Sequence, residues 1–155
     1  MAKRRKKVRI LGRVLFVIYM TLALYFLFFS DSFDRTIISE KYRYNIVPFA
    51  EIKRFWNYRE QLGTLSLLVN LAGNVICFMP FGFLLPVMTQ RRIFHCGIVV
   101  VLCTALFSFG IELVQMVSRV GAFDVDDIIL NTLGGLLGYI MMRITKHFVK
   151  IKILS

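Results

Sequence analysis

Residues 62–88 read LGTLSLLVNLAGNVICFMPFGFLLPVM, a run without a single charged side chain. A helix needs about 20 mostly apolar residues to cross a bilayer, and this run is long enough. Three more runs accompany it. Residues 14–29 read VLFVIYMTLALYFLFF, residues 93–117 are interrupted by Glu112, and residues 125–144 begin with acids and end near Arg143. The pattern predicts an all-α, polytopic membrane protein with four transmembrane helices. Composition agrees: of 155 residues, 57% are hydrophobic and 19% charged, with a mean hydropathy of +0.68. A soluble domain is roughly 45–50% apolar and about 25% charged. These values exclude a disordered chain, and the length excludes a large multidomain enzyme.

The charge of +11 is distributed as a topology signal. Residues 1–13, the loop at 89–92 and the end of the chain from Arg143 carry thirteen Lys and Arg and no acid. All nine acids lie on or near the opposite side. The positive-inside rule predicts cytoplasmic termini, a basic segment at 1–13 and a basic tail at 145–155. The first span reads as a retained anchor, because no small-x-small cleavage site follows Phe26-Leu27-Phe28-Phe29. Nucleic-acid binding is not expected, since the aromatics lie mostly in the spans instead of on a basic face. Cys77, Cys96 and Cys103 form no C-x-x-C pair, so no zinc site or disulfide framework is indicated. No cofactor is expected.

In the first outer loop, Pro48 can open a helix. Phe49, Ile52, Phe55, Trp56 and Leu62 then fall largely on one side, with Glu51, Lys53, Arg54, Arg59 and Glu60 on the other. Residues 49–61 are expected to form a short interfacial helix on the outer leaflet.

Polar residues interrupt the spans at helical spacing. Asn70 and Asn74 share one face of the second span. Glu112, Gln115 and Arg119 share a face of the third. The fourth opens with Asp124, Asp126 and Asp127 and continues through Asn131. Asp124 reads as an N-cap, with Asp127 completing a capping box. Gly73 and Gly82 should permit close helix approach, and Gly134 with Gly138 forms a small-xxx-small pair. A carboxylate within a span costs on the order of 3 kcal/mol, so Glu112 needs a partner, with Arg119 or Arg43 as candidates. The polar faces are expected to converge in the outer half of the membrane, either as a binding pocket or as a structural polar core. The expected binding set is Arg43, Asn70, Asn74, Glu112, Gln115, Arg119, Asp124, Asp127 and Asn131. Asp124, Asp126 and Asp127 form a weak metal motif, because hard cations take clustered carboxylates.

Four segments, in order, resemble the VanZ-like family of bacterial membrane proteins. Arg43-Tyr44-Asn45-Ile46-Val47-Pro48-Phe49 is similar to its N-[LI]-[IV]-P-F element. Asn70 to Gly82 is similar to N-x-x-x-N-x-x-x-F-x-P-x-G, Glu112 to Gln115 to E-x-x-Q, and Asp124 to Gly134 to D-x-x-D-[IV]-[IL]-x-N-x-x-G. The resemblance implies a multi-pass protein of the bacterial cell membrane tied to teicoplanin tolerance, and it supplies no agreed reaction. The expected partners are membrane lipids, with a lipoglycopeptide antibiotic or an envelope lipid precursor as ligand; an oligomer is possible. The leading expectation is a binding protein. The alternatives are an intramembrane enzyme using Glu112 as acid or base, or a small transporter.

Overall fold

The structure is a computed structural model that describes residues 2–29, 42–57, 64–89 and 91–149, without the side chains at 2–5, 29, 55, 64–70 and 149. Its elements are α1 (Ala2–Phe29), β1 (Arg43–Asn45), α2 (Ala50–Asn57), α3 (Thr64–Met88), a 3-10 turn (Arg92–His95), α4 (Gly97–Ser118), β2 (Ala122–Asp124) and α5 (Val125–Val149).

Among the described residues, four helices contain stretches long and apolar enough to cross a membrane: Lys6–Phe28, Leu71–Met88, Gly97–Ser118 and Val125–Phe148. At 1.5 Å per residue, α4 alone is about 33 Å long, against a hydrocarbon core of about 30 Å. The outward faces suit that solvent. Ile98 is 71% exposed and Leu106 70%, which would be unfavourable in water but costs nothing against acyl chains. The chain is therefore an all-α, multi-pass membrane protein.

Several boundaries differ from the sequence expectation. The third span begins at Gly97 instead of residue 93, because Arg92–His95 closes a 3-10 turn and Cys96 is extended. The helix α1 starts within the basic segment, where Lys and Arg are good helix formers, and α5 continues beyond residue 144 to Val149. Pro48 does not open α2. It occupies a turn closed by the Ala50 N–H donating to the Val47 carbonyl at 3.3 Å, and the helix starts at Ala50. Residues 58–61 of the expected surface helix, residues 62–63 of the second span and residues 150–155 of the tail lie outside the described residues.

The helix α5 packs on both α3 and α4, and α1 lies along α3. Glycine sets the α3–α5 separation. A Cβ on Gly134 would meet the Val75 carbonyl, and one on Gly138 the Met79 carbonyl. At Gly73, nothing among the described residues lies near the position of its Cβ. The apolar core occupies the half of the bundle near Met88. Phe81, Leu85 and Val100 are buried there among Phe16, Tyr19, Met20 and Phe107, and the Phe81 and Phe107 rings stack at 5.0 Å. Pro80 and Pro86 lie within a continuous α3.

The other half is polar. The buried face of α4 carries Val100, Thr104, Ser108, Ile111, Glu112 and Gln115, a seam at intervals of three and four residues that follows one side of the helix. Beyond it lies an element that periodicity did not suggest. β1 and β2 pair in parallel, with Arg43 opposite Ala122, Tyr44 opposite Phe123 and Asn45 opposite Asp124.

Candidate functional site

The helix α4 ends at Ser118, and Arg119 adopts a left-handed conformation with φ 58°. The chain reverses there and passes through β2 directly into α5. Asp124 caps the new helix, its Oδ1 accepting the Asp126 N–H at 2.8 Å and the Asn45 Nδ2 at 3.1 Å. In a capping box, an acid three residues on returns to the N-cap N–H. Here an acid from another helix reaches that group: the Asp124 N–H donates to Oε2 of Glu112 at 3.0 Å. Asp127, at the third helical position, instead accepts a hydrogen bond from Asn74 Nδ2 of α3. Burial pushes the Asp124 carboxyl above the usual carboxylate range; the Asp126 N–H and Asn45 oppose the shift, while the charges of Asp126 and Glu51 add to it.

Asp126 caps a different helix. Its Oδ1 accepts the Phe49 N–H, and its Oδ2 accepts the N–H groups of Glu51 at 2.9 Å and Ile52 at 3.2 Å. These are donors that a helix leaves unpaired at its N-terminus, and a carboxylate suits that end of the dipole. With eight residues, α2 is too short to be stable alone in water. Phe49 sits at φ 64°, a conformation usually left to Gly or Asn. The Asn45 side chain accepts the Val47 N–H at 3.1 Å, so the whole segment from β1 to α2 is fixed onto the start of α5.

Two more buried amides join the cluster. Gln115 Nε2 donates to the Leu27 carbonyl at 2.9 Å and ties in the end of α1. Asn131 Nδ2 donates to Ser108 Oγ at 2.9 Å, while its Oδ1 is buried without a partner among the described residues. Glu112, Gln115, Asp126 and Asn131 are each no more than 2% exposed. Arg43 and Arg119 are not among the buried residues of this cluster. The Arg119 guanidinium sits over the Tyr42 ring, 4.8 Å from its centroid, within cation–π range. The neighbouring Arg43 is exposed. Thus one donor to Glu112 is a backbone N–H, where the sequence suggested Arg119 or Arg43.

Among the described residues, the three aspartates are not grouped as metal ligands. Their carboxylates go to β1, α2 and α3 in turn, and no group of three or more His, Cys, Asp or Glu side chains among the described residues could hold a metal ion. Shallow depressions mark the surface at Leu113, Val114, Val117 and Ser118, and at Arg13, Met88, Thr89 and Arg91; neither is lined by Glu112 or Asn131. Asn70 lies on α3, but its side chain lies outside those described.

Residues 16–146 match the family model described as VanZ/LLP1. The chain belongs to the VanZ/LLP1 family. It is 30% identical over 132 residues to Protein VanZ of Enterococcus faecium, an alignment covering 84% of this chain and 72% of that protein. No solved structure matches it.

The motifs that suggested VanZ/LLP1 membership are separated in sequence but bonded to one another in space. The N-I-V-P-F element supplies Asn45 and the Phe49 turn, which bind Asp124 and Asp126. The second element supplies Asn74 to Asp127, and E-x-x-Q supplies Glu112 to the Asp124 N–H. Sequence reasoning placed Asp126 only in a metal motif and missed Asn45 and Ser108. One signal was available: no Ser, Thr, Asp or Asn immediately precedes Ala50, so a buried start of that helix required a cap from elsewhere.

Proposed function

We propose that this VanZ/LLP1 protein resides in the bacterial cell membrane with both termini cytoplasmic. Its outer face binds the anionic headgroup region of an envelope lipid or of a lipid-tailed glycopeptide, and that binding contributes to tolerance of teicoplanin-like drugs. The family's association with teicoplanin tolerance supports this reading, as does the basic character of residues 1–13, 89–92 and the end of the chain. The observation that carries it is the division of charge at the β1 end. Asp124, Asp126 and Glu112 bond to backbone N–H groups of the chain, whereas Arg43 is exposed and the Arg119 guanidinium is set on Tyr42. Guanidinium forks match phosphate and carboxylate. Exposed Tyr44, Phe49 and Trp56 add the amphipathic rings favoured at a membrane boundary. In this reading the intramembrane polar cluster supports the binding surface and does not itself form an open cavity.

The test is expression of the full chain in a teicoplanin-susceptible bacterium, with membrane levels checked by immunoblot. The wild-type chain should raise the inhibitory concentration, and an Arg43→Gln/Arg119→Gln variant at equal abundance should fall back toward the empty-vector value. Full protection by that variant would overturn the proposal.

A further inference from the structure

We infer a second binding site at the opposite, basic end of the bundle, for the phosphodiester headgroup of an anionic lipid held between α1 and the end of α3. It rests on the orientation proposed above and is otherwise independent of the outer-face reading. The site is the open depression of about 400 Å³ lined by Arg13, Met88, Thr89 and Arg91. Its floor follows from the close approach of the two helices, since a Cβ on Gly12 would lie 3.0 Å from Val87 and 3.6 Å from the Met88 nitrogen.

The polar groups are arranged as donors. Arg13 Nε donates to the Met88 carbonyl at 3.3 Å. That carbonyl is at the C-terminus of α3, where no following turn of the helix can pair it. The bond fixes the guanidinium through one N–H and leaves its terminal N–H groups for a ligand. Thr89 Oγ1 accepts the Arg91 N–H at 3.3 Å, so the hydroxyl proton remains able to donate. Arg91 is exposed and brings a second guanidinium. No competing carboxylate exists nearby in sequence, because the chain has no Asp or Glu before residue 31 or between residues 61 and 111. Two guanidinium groups and a hydroxyl suit a phosphate. The flanks favour a lipid over a soluble phosphate ester. Val17, one turn beyond Arg13 on the same side of α1, and Ile93 beyond the loop are exposed apolar side chains, along which acyl chains can run. Basic recesses between spans on the cytoplasmic side are a known mode of headgroup binding.

The experiment is native mass spectrometry of the delipidated full-length protein titrated with phosphatidylglycerol, phosphatidylcholine or glycerophosphoglycerol, the lipid-free headgroup. One phosphatidylglycerol should be retained under conditions that remove phosphatidylcholine. Each lost guanidinium should weaken binding by about fivefold, so Arg13→Gln/Arg91→Gln should weaken it by about twentyfold or more. Arg92→Gln removes the same charge beside the depression but outside its lining, and should change retention far less. Arg13→Lys/Arg91→Lys keeps the charge and serves as a folding control, with intermediate retention expected. Equal loss in Arg92→Gln and Arg91→Gln would reduce the effect to diffuse attraction and overturn the site. Retention of the free headgroup as tight as that of the lipid would overturn the lipid assignment, as would equal retention of phosphatidylcholine.

Discussion

Glu112 of α4 accepts the backbone N–H of Asp124 at 3.0 Å, so a carboxylate from one spanning helix binds the N-cap residue of the next. A buried N–H without a partner costs about 1–3 kcal/mol, and Glu112, at 2% exposure, satisfies it where water has little access. The acid that first suggested catalysis is thus also part of the turn between α4 and α5.

Replacing Glu112 separates acceptor from charge. Glu112→Gln keeps an oxygen that can accept the Asp124 N–H, and Glu112→Leu does not. The leucine variant should lose about 1–3 kcal/mol of stability, with the glutamine variant between it and wild type. Thermal unfolding in a mild detergent measures the order. Wild-type stability in Glu112→Leu would show that the contact contributes nothing.

Gly134 and Gly138 test the closeness of α3 and α5. Alanine at either would press a methyl group into the carbonyl of Val75 or Met79. Overpacking of this kind costs about 1–3 kcal/mol. Gly73→Ala meets nothing within 4 Å among the described residues and, inside a helix, should leave stability unchanged or raise it by up to about 1 kcal/mol. Unfolding midpoints of the three variants, measured side by side, check the contrast.

Asp124 gives a pH dependence of definite sign. Its carboxyl is raised above the usual carboxylate range, chiefly by burial, so the folded state holds the proton more tightly than the unfolded state. The contribution to stability is greatest below the unfolded value and is lost as pH rises through the folded value. Asn caps helices as well as Asp but does not titrate. As pH is lowered toward the carboxylate range, wild type should gain stability relative to Asp124→Asn. A relative loss would contradict the shift.

The spans were legible because a bilayer demands long apolar runs, and 62–88 or 125–144 can hardly be read otherwise. The inward face of α4 was legible too, since helical spacing put Glu112 and Gln115 on one side, and both are buried. What each polar group bonds to was not. One Glu112 partner is a backbone N–H exposed by a turn, and Asp126 reaches a segment 74 to 77 positions away in sequence. The strands Arg43–Asn45 and Ala122–Asp124 have three residues each, too few for a period of two to register. Phe49 at φ 64° defeated the reading of Pro48 as a helix start.

The central claim is that carboxylates at the head of α5 hold the β1–α2 segment in place, and amide hydrogen exchange of the full chain in lipid nanodiscs tests it most directly. In Asp126→Ala, the Phe49, Glu51 and Ile52 amides lose their acceptor. A cap is worth about 0.5–2 kcal/mol, so these amides should exchange about two- to thirtyfold faster than in wild type while the centres of α4 and α5 remain protected. Unchanged exchange at all three amides would contradict the account.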